Sequence, residues 1–291
     1  MKTRIILGAI MLTVLSGVLA LDWFLEYARV IQIVHADGPA VVLRGLPVAI
    51  VLMLVAAQAV WEMAKLCGAA GVLILGRSAV IGAAGLGTLP LWWQFVGGEL
   101  TGQAVILLLA GLIWIIFLEQ MIARRTADAI RTIACTTLTA LYLGVGGAMI
   151  LQIRLADPNG LVKLVMFLAV VKFTDIGAYF TGSAIGRRKL IPWLSPGKSW
   201  EGLIGGLLTA AGVSILIAHL GDIGIAVWQA GLFGVIVGLT GQFGDLCESL
   251  LKRSARLKDS SSMVPEFGGI LDIIDSPLIA APAAFALFAI M

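Results

Sequence analysis

Long apolar runs separated by short polar stretches dominate the hydrophobic pattern of this chain. A run of about 20 apolar residues is long enough to cross a bilayer as an α-helix, which satisfies its backbone hydrogen bonds internally. Nine runs come near that length: 5–25, 41–61, 66–87, 103–121, 132–151, 161–181, 202–220, 225–243 and 276–291. The pattern therefore predicts an all-α fold, a polytopic transmembrane helical bundle with about nine spans.

Two of these runs have a second interpretation. Residues 1–21 fit a signal peptide as well as a first span, but the length of the run and the lack of a small-x-small cleavage site favour the span. The run 66–87 contains several glycines and Arg77. It therefore fits a pair of half-helices that re-enter the membrane as well as one full span.

The composition supports a membrane protein and argues against an ordinary soluble domain. Hydrophobic residues make up 60% and charged residues 13% of the 291 residues. Soluble domains average about 45–50% apolar and about 25% charged residues. The net charge of +3 is too small to indicate nucleic acid as a partner.

The basic residues predict how the chain is oriented. With the N-terminus in the cytoplasm, fourteen of the twenty Lys and Arg residues fall on the cytoplasmic side and four fall outside, in agreement with the positive-inside rule. This predicts a multi-pass protein of the cell inner membrane in which the polar stretches 182–201 and 244–275 are cytoplasmic loops. We expect residues 1–160 to form a transmembrane scaffold and residues 161–291 a catalytic region. The glycine-rich spans fit a homodimer as well as packing within one chain.

Two ionisable residues, Lys172 and Asp175, interrupt the sixth apolar run. A charge at membrane depth costs several kcal/mol unless it is paired or solvated, so such residues are functional candidates. Their i,i+3 spacing also permits a simple ion pair on one helix face. Both interpretations remain open from the sequence.

A lysine among small residues precedes the seventh run, in the segment 195–201 (SPGKSWE). Backbone amides and an ammonium at a helix start favour phosphate binding. The segment is not a P-loop, because that motif requires glycine where Pro192 stands and a preceding hydrophobic strand. The candidates for substrate binding here are Ser195, Gly197, Lys198 and Ser199.

Two acidic pairs flank the basic loop near the C-terminus. Asp245 and Glu248 are three residues apart, and so are Asp272 and Asp275. In a helix this i,i+3 spacing places both members of a pair on one face. Carboxylate clusters suit Mg²⁺, which bridges a few acidic residues to substrate phosphates. The alternative is a juxtamembrane loop whose charges are solvated or lie near anionic lipid.

A second set of residues has a characteristic order and spacing between the acidic pairs and beyond: Ser249, Lys252, Arg253, Lys258, Asp259, Pro265, Gly268, Gly269, Leu271, Asp272, Asp275 and Ser276. This pattern resembles the signature of the CDP-diacylglycerol synthase family, the phosphatidate cytidylyltransferases. Segments upstream, around Asp175, 195–202 and 244–249, resemble family segments in the same order, so the resemblance covers about residues 170–282. The chain departs from the pattern at Phe267, where the family has His, and at Ile273, where it has Arg.

The resemblance implies an enzyme that transfers a cytidylyl group from CTP to phosphatidate, giving CDP-diacylglycerol and pyrophosphate. A related CTP transferase acting on another lipid phosphate is the first alternative, and a non-catalytic transporter or lipid-binding relative is the second. Mg²⁺ is the implied cofactor, with a second cation left open. By matched position, Asp245, Asp272 and Asp275 are implied as metal ligands.

The remaining roles are also implied by matched positions. Glu248 supports the ligands, and Asp175 helps to position the metal or the nucleotide. Lys258 and Asp259 order the loop, while Gly268 and Gly269 let the backbone approach a ligand closely. The implied phosphate contacts are Lys198, Lys252 and Arg253.

Overall fold

The computed structural model describes residues 2–33, 41–96, 102–124, 126–257, 260–261 and 268–291. Within these ranges the chain forms helices joined by short connections and two small antiparallel hairpins, β1–β2 and β3–β4. The helices are α1 Lys2–Tyr27, α2 Leu46–Ala69, α3 Gly76–Gly87, α4 Leu89–Val96, α5 Gly102–Ile122, α6 Ala129–Leu155, α7 Gly160–Ile185, α8 Trp200–Leu220, α9 Val227–Ser254 and α10 Leu271–Ile290. The strands are β1 Gln32–Ile33, β2 Val41–Val42, β3 Lys189–Ile191 and β4 Ser195–Ser199.

The predicted class, a polytopic helical membrane protein, is confirmed. Seven helices of the described chain are long and apolar enough to cross a membrane, and there are eight if the bent pair α3–α4 is one span. The sequence-based number of about nine spans compares with these seven or eight candidates among the described helices. The predicted sixth span lies in α7, which has sufficient length but carries Lys163, Lys172 and Asp175 and is not among these candidates.

The predicted third run, 66–87, is not one helix. Its first residues belong to the end of α2, residues 70–75 form a connection, and residues 76–87 form α3. The axes of α3 and α4 differ by 59° across the break at Thr88. Pro90 has no N–H to donate to the carbonyl of Leu86, so the hydrogen-bond ladder of α3 cannot continue. The broken-helix alternative therefore describes this region better than a single span.

The chain divides into two compact units. The first comprises Met1–Leu151 and Asp259–Leu271, and the second comprises Gln152–Lys258 and Asp272–Met291. The domain boundary expected at residue 160 stays a prediction.

In the second unit, α7 packs closely against α8. A Cβ atom added to Gly206 of α8 would lie only 2.8 Å from the carbonyl oxygen of Thr174 on α7 and 3.0 Å from the Cβ of Ala178. Only glycine allows the two backbones to come this near, as in other small-residue helix contacts in membranes. This close approach holds the turn of α7 that carries Asp175.

In the first unit, the carboxylate of Glu62 on α2 caps the start of α10. Glu62 is fully buried. It accepts hydrogen bonds from the backbone N–H of Ile270 at 3.0 Å and of Leu271 at 2.8 Å, and from the hydroxyl of Ser260 at 3.1 Å. The first N–H groups of a helix have no partner within the helix, and a negative charge there is favourable. Glu62 thus satisfies donors that would otherwise be buried and unpaired.

We expect Glu62→Gln to loosen the start of α10. The amide side chain presents an NH₂ donor where backbone donors now point, and such a buried mismatch costs about 1–3 kcal/mol. Hydrogen exchange should show faster exchange at the amides of Ile270 and Leu271. Glu119→Gln is the matched control, because Glu119 on α5 accepts from the N–H and hydroxyl of Ser78 at the start of α3. Equal exchange at these two amides in both variants would contradict the assignment.

Candidate functional site

Most of the residues predicted to carry chemistry lie in the second unit, on three helices and one hairpin. Asp175 lies on α7 and Lys198 on β4. α9 is continuous through both residues of its acidic pair, and α10 begins just before the other pair. Residues placed on α9 are Asp245, Glu248, Lys252 and Arg253, and those on α10 are Asp272 and Asp275.

Three carboxylates converge between α9 and α10. Asp245, Glu248 and Asp275 each offer an oxygen atom, and these oxygens all lie within 4.8 Å of one another. Asp275 is 4% exposed and Glu248 only 1%. Among the described residues, no hydrogen-bond partner reaches the buried oxygen Oε1 of Glu248. A buried carboxylate oxygen of this kind is costly unless a cation satisfies it.

This donor set fits a magnesium ion. Mg²⁺ prefers oxygen ligands and is usually held by one or two carboxylates while it keeps several waters. Within the described part of the chain, Oε1 of Glu248 is buried without a hydrogen-bond partner, and this oxygen fits the role of a cation ligand. Asp272, expected from the sequence as a third ligand, is not in this group of three.

Lys252 joins the two acidic pairs. Its ammonium nitrogen lies 2.5 Å from Oε2 of Glu248, one turn earlier on α9, and 2.6 Å from Oδ1 of Asp272 on α10. Its side chain is only 14% exposed. Such a cation lowers the electrostatic repulsion among clustered carboxylates. Lys252 therefore connects α9 to the first turn of α10.

Lys198 makes a second ion pair at the edge of the cluster. Its ammonium nitrogen lies 2.6 Å from Oδ2 of Asp245 and donates to the backbone carbonyl of Gln242 at 3.2 Å. Strand β4 carries Lys198 to this position because it ends at Ser199, whose hydroxyl accepts from the N–H of Gly202 and caps α8. The predicted helix start after Lys198 is confirmed.

A cavity of about 580 Å³ opens beside Lys198 and Asp245. It is lined by side chains of α7, the β3–β4 hairpin, α8 and α9, and both carboxylate and ammonium groups face it. Its volume lies within the range of about 300–1,000 Å³ that is typical of small-molecule sites. The predicted residues that line it are Asp175, Ser195, Gly197, Lys198, Ser199 and Asp245.

Sequence analysis missed Gln242, which connects two parts of this site. The side-chain amide of Gln242 donates to Oδ1 of Asp175 at 2.7 Å, and its backbone carbonyl accepts from Lys198. Gln242 is 6% exposed and lines the cavity. Its one available signal was a polar residue three positions before Asp245 in an apolar run.

Lys172 and Asp175, which could form an ion pair by their spacing, each contact another helix instead. The ammonium of Lys172 donates to the backbone carbonyl of Ile273 on α10 at 2.8 Å, while Asp175 accepts from Gln242. The i,i+3 spacing made a pair possible, but packing against α10 offered Lys172 another acceptor.

The structure does not place every predicted residue in this cluster. The guanidinium Nε of Arg253 lies 3.5 Å from the carbonyl of Leu194 in the turn between β3 and β4. Gly268 and Gly269 belong to the first unit. A Cβ atom added to Gly269 would lie 2.3 Å from Oε2 of Glu62, so this glycine makes room for a carboxylate of the chain itself. Lys258, Asp259, Pro265 and Phe267 lie outside the described residues.

Comparisons with known proteins agree on one family. The sequence pattern of the cytidylyltransferase family matches residues 27–291. The chain is 38% identical over 154 residues to the phosphatidate cytidylyltransferase of Bacillus subtilis (strain 168), covering 53% of this chain and 57% of the relative. It is 42% identical over 145 residues to that of Haemophilus influenzae, covering 46% and 50% of the two chains.

A further relative is named only as the uncharacterized protein YnbB of Escherichia coli (strain K12). It is 40% identical over 139 residues, which cover 47% of this chain and 46% of the relative. The matches thus span about half the length of these curated relatives.

Proposed function

This chain belongs to the cytidylyltransferase family, and we propose that it transfers a cytidylyl group from CTP to phosphatidate, releasing pyrophosphate and giving CDP-diacylglycerol. The observation that carries this proposal is the convergence of Asp245, Glu248 and Asp275 beside a cavity that Lys198 lines. Triphosphates and lipid phosphates are anions, and a site that combines carboxylates for a hard cation with ammonium groups suits both. The names of the relatives support phosphatidate as the acceptor.

In the proposed reaction an oxygen of the phosphatidate phosphate forms a bond to the α-phosphorus of CTP. The bond from that phosphorus to the β-phosphate oxygen breaks, and its electron pair leaves with pyrophosphate. Phosphatidate is already ionised near neutral pH, so no residue needs to remove a proton. The protein contributes mainly by holding the two anions in line and by stabilising the charge that develops.

Asp245, Glu248 and Asp275 would hold Mg²⁺, with Asp272 close by on the same turn of α10. The ion, when bound, supplies positive charge at phosphate oxygens. The buried position of Glu248 and Asp275 keeps water away from these oxygens and strengthens their attraction for a cation.

Lys198 and Lys252 supply the positive charge of the chain itself. Lys198 stands at the cavity wall two residues before α8, where a phosphate group would meet an ammonium and the first amides of a helix. Lys252 balances Glu248 and Asp272. Gln242 holds Asp175 at the cavity wall through its side-chain amide. Asp175 would orient the nucleotide or the ion.

We place this site on the cytoplasmic side of the inner membrane, where CTP is available. The support is the excess of Lys and Arg on that side in the sequence-based topology. The lipid substrate would enter sideways from the bilayer, because its acyl chains cannot leave hydrocarbon without a large cost.

The experiment that tests the proposal follows the label from CTP into lipid. Purified protein in mixed micelles receives Mg²⁺, phosphatidate and CTP labelled at either the α- or the γ-phosphate. Cytidylyl transfer puts the α-label into the organic phase and leaves the γ-label in pyrophosphate, whereas a kinase would put the γ-label into lipid.

Competing lipid phosphates, an isoprenoid phosphate and an ether-linked phosphatidate, test the acceptor in the same assay. If a competitor were labelled in preference to phosphatidate, that competitor would be the substrate, and the reaction would still be cytidylyl transfer. Folded protein that labels no lipid phosphate would contradict the proposed activity.

A further inference from the structure

A proline removes one hydrogen bond from the first turns of α10. Pro277 lies within the helix and has no N–H to donate to the carbonyl of Ile273, four residues earlier. Lys172 of α7 donates to that carbonyl at 2.8 Å. A side chain from a neighbouring helix thus takes the place of the missing helical donor. The contact is exposed in the isolated chain, and inside a bilayer an unpaired carbonyl would cost free energy, which gives the contact a physical reason.

The contact joins two turns that carry carboxylates of the site. Ile273 lies between Asp272 and Asp275 in α10, and Lys172 lies one turn before Asp175 in α7. The direction of the Asp275 side chain depends on the helix turn that Lys172 holds, because this residue is buried and close to the helix start.

We propose that Lys172 is a positioning residue, whose ammonium holds the first turn of α10 through the Ile273 carbonyl and so fixes Asp275 relative to Asp245 and Glu248. The proposal rests on the cation site of the proposed function. In this proposal Lys172 acts on the cation site without being a ligand itself. Lys172 and Pro277 act together, because the proline leaves the Ile273 carbonyl without a helical donor and the lysine donates to it.

A positioning role of Lys172 and a purely electrostatic role predict opposite effects of Lys172→Met on the affinity for a cation. If Lys172 acted only as a nearby positive charge, its removal would strengthen the attraction between the carboxylates and a divalent cation. If it positions α10, its removal misaligns Asp275 and weakens binding. We expect Mn²⁺, used as the probe, to bind about tenfold more weakly to Lys172→Met, in line with measured coupling between contacting groups. Lys172→Arg keeps a donor and a charge and should restore most of the affinity.

Pro277→Ala gives an independent test, because residue 277 then has an N–H for the Ile273 carbonyl. In that background Lys172→Met should weaken Mn²⁺ binding by less than about twofold, a clear departure from additivity. Lys163→Met is the matched control on the same helix. Lys163 lies near the start of α7, where it forms an ion pair with Asp157 and approaches the ring of Phe288, 13 residues after Asp275, at 5.2 Å. Its replacement should leave the Mn²⁺ affinity unchanged.

The measurement is titration of the purified full-length chain with Mn²⁺, followed by electron paramagnetic resonance, with circular dichroism as the check of folding. Unchanged or tighter binding in folded Lys172→Met would overturn the proposal. Equal losses from Lys172→Met with and without the Pro277→Ala substitution would also overturn it, as would a wild-type chain that binds no Mn²⁺. A chain that shows the expected coupling but labels no lipid would support the positioning role and refute the cytidylyl transfer.

Discussion

Replacing Asp275 by Asn should reduce cytidylyl transfer by about 10²- to 10³-fold, the usual cost of removing one group that stabilises charge in a transition state. Asn has nearly the same volume and keeps an oxygen that can accept from the N–H of Ser276, as Oδ1 of Asp275 does at 2.6 Å. The fold should therefore survive. What is lost is one of three negative charges at the proposed cation site. Turnover and Mn²⁺ affinity measured on the same preparation should fall together.

Asp272→Asn tests whether Asp272 is a metal ligand, as the family resemblance implies, or only a partner of Lys252, as the structure suggests. Asp272 pairs with Lys252 and lies outside the group of three carboxylates. We expect Asp272→Asn to lower turnover but to keep most of the Mn²⁺ affinity. Asp157→Asn, which changes a carboxylate paired with Lys163, should leave both quantities near normal. An equal loss of Mn²⁺ affinity in the Asp272 and Asp275 variants would restore Asp272 as a ligand.

Lys198→Met should produce the second large effect, about a 10²-fold loss of turnover with a raised KM for CTP. The ammonium of Lys198 is the cation at the cavity wall nearest to Asp245, at 2.6 Å. Its loss removes a phosphate contact but also a charge that competes with a metal ion for Asp245. Mn²⁺ affinity should therefore be unchanged or higher, the opposite of the Asp275→Asn result.

Two further variants decide whether this effect belongs to Lys198 itself. Lys198→Arg keeps the charge and should retain most of the affinity for CTP. Lys189→Met removes an exposed lysine from the paired strand β3, which also lines the cavity. We expect a loss of less than about threefold there, because solvent screens exposed charges. A KM for CTP that rises equally in both Met variants would show that only the net charge of the hairpin matters.

Local features of this site were readable from the sequence because they depend on neighbours in the chain. The i,i+3 spacing predicted that Asp245 and Glu248 share a helix face, and α9 is continuous through both. The small residues before Trp200 predicted a helix start, and Ser199 caps α8. Apart from the run 66–87, each apolar run overlaps one helix of the structure, since a helix that crosses a membrane needs a long apolar stretch.

Contacts between distant residues could not be derived in this way. Gln242 and Asp175 are 67 residues apart, Lys252 and Asp272 are 20 apart, and Glu62 lies 209 residues before Leu271. Each contact depends on which helices pack together and at what distance, and one sequence does not specify that. For Lys172 and Asp175 the sequence left an ion pair between them open, whereas each has a hydrogen-bond partner on another helix.

Hydrophobic length and i,i+3 periodicity are local properties of a helical chain, so the class of the molecule, most of its helices, and the residue types available for binding a cation and phosphate could be predicted from the sequence. Which of these residues meet depends on how the helices pack in the fold. The fold brought Asp275 to Asp245 and Glu248, set Lys252 between the two acidic pairs, and gave Lys172 the carbonyl that Pro277 leaves free. The reason is physical: side chains reach only a few ångströms, so the close packing of α7, α8, α9 and α10 selects among contacts that the sequence alone allows.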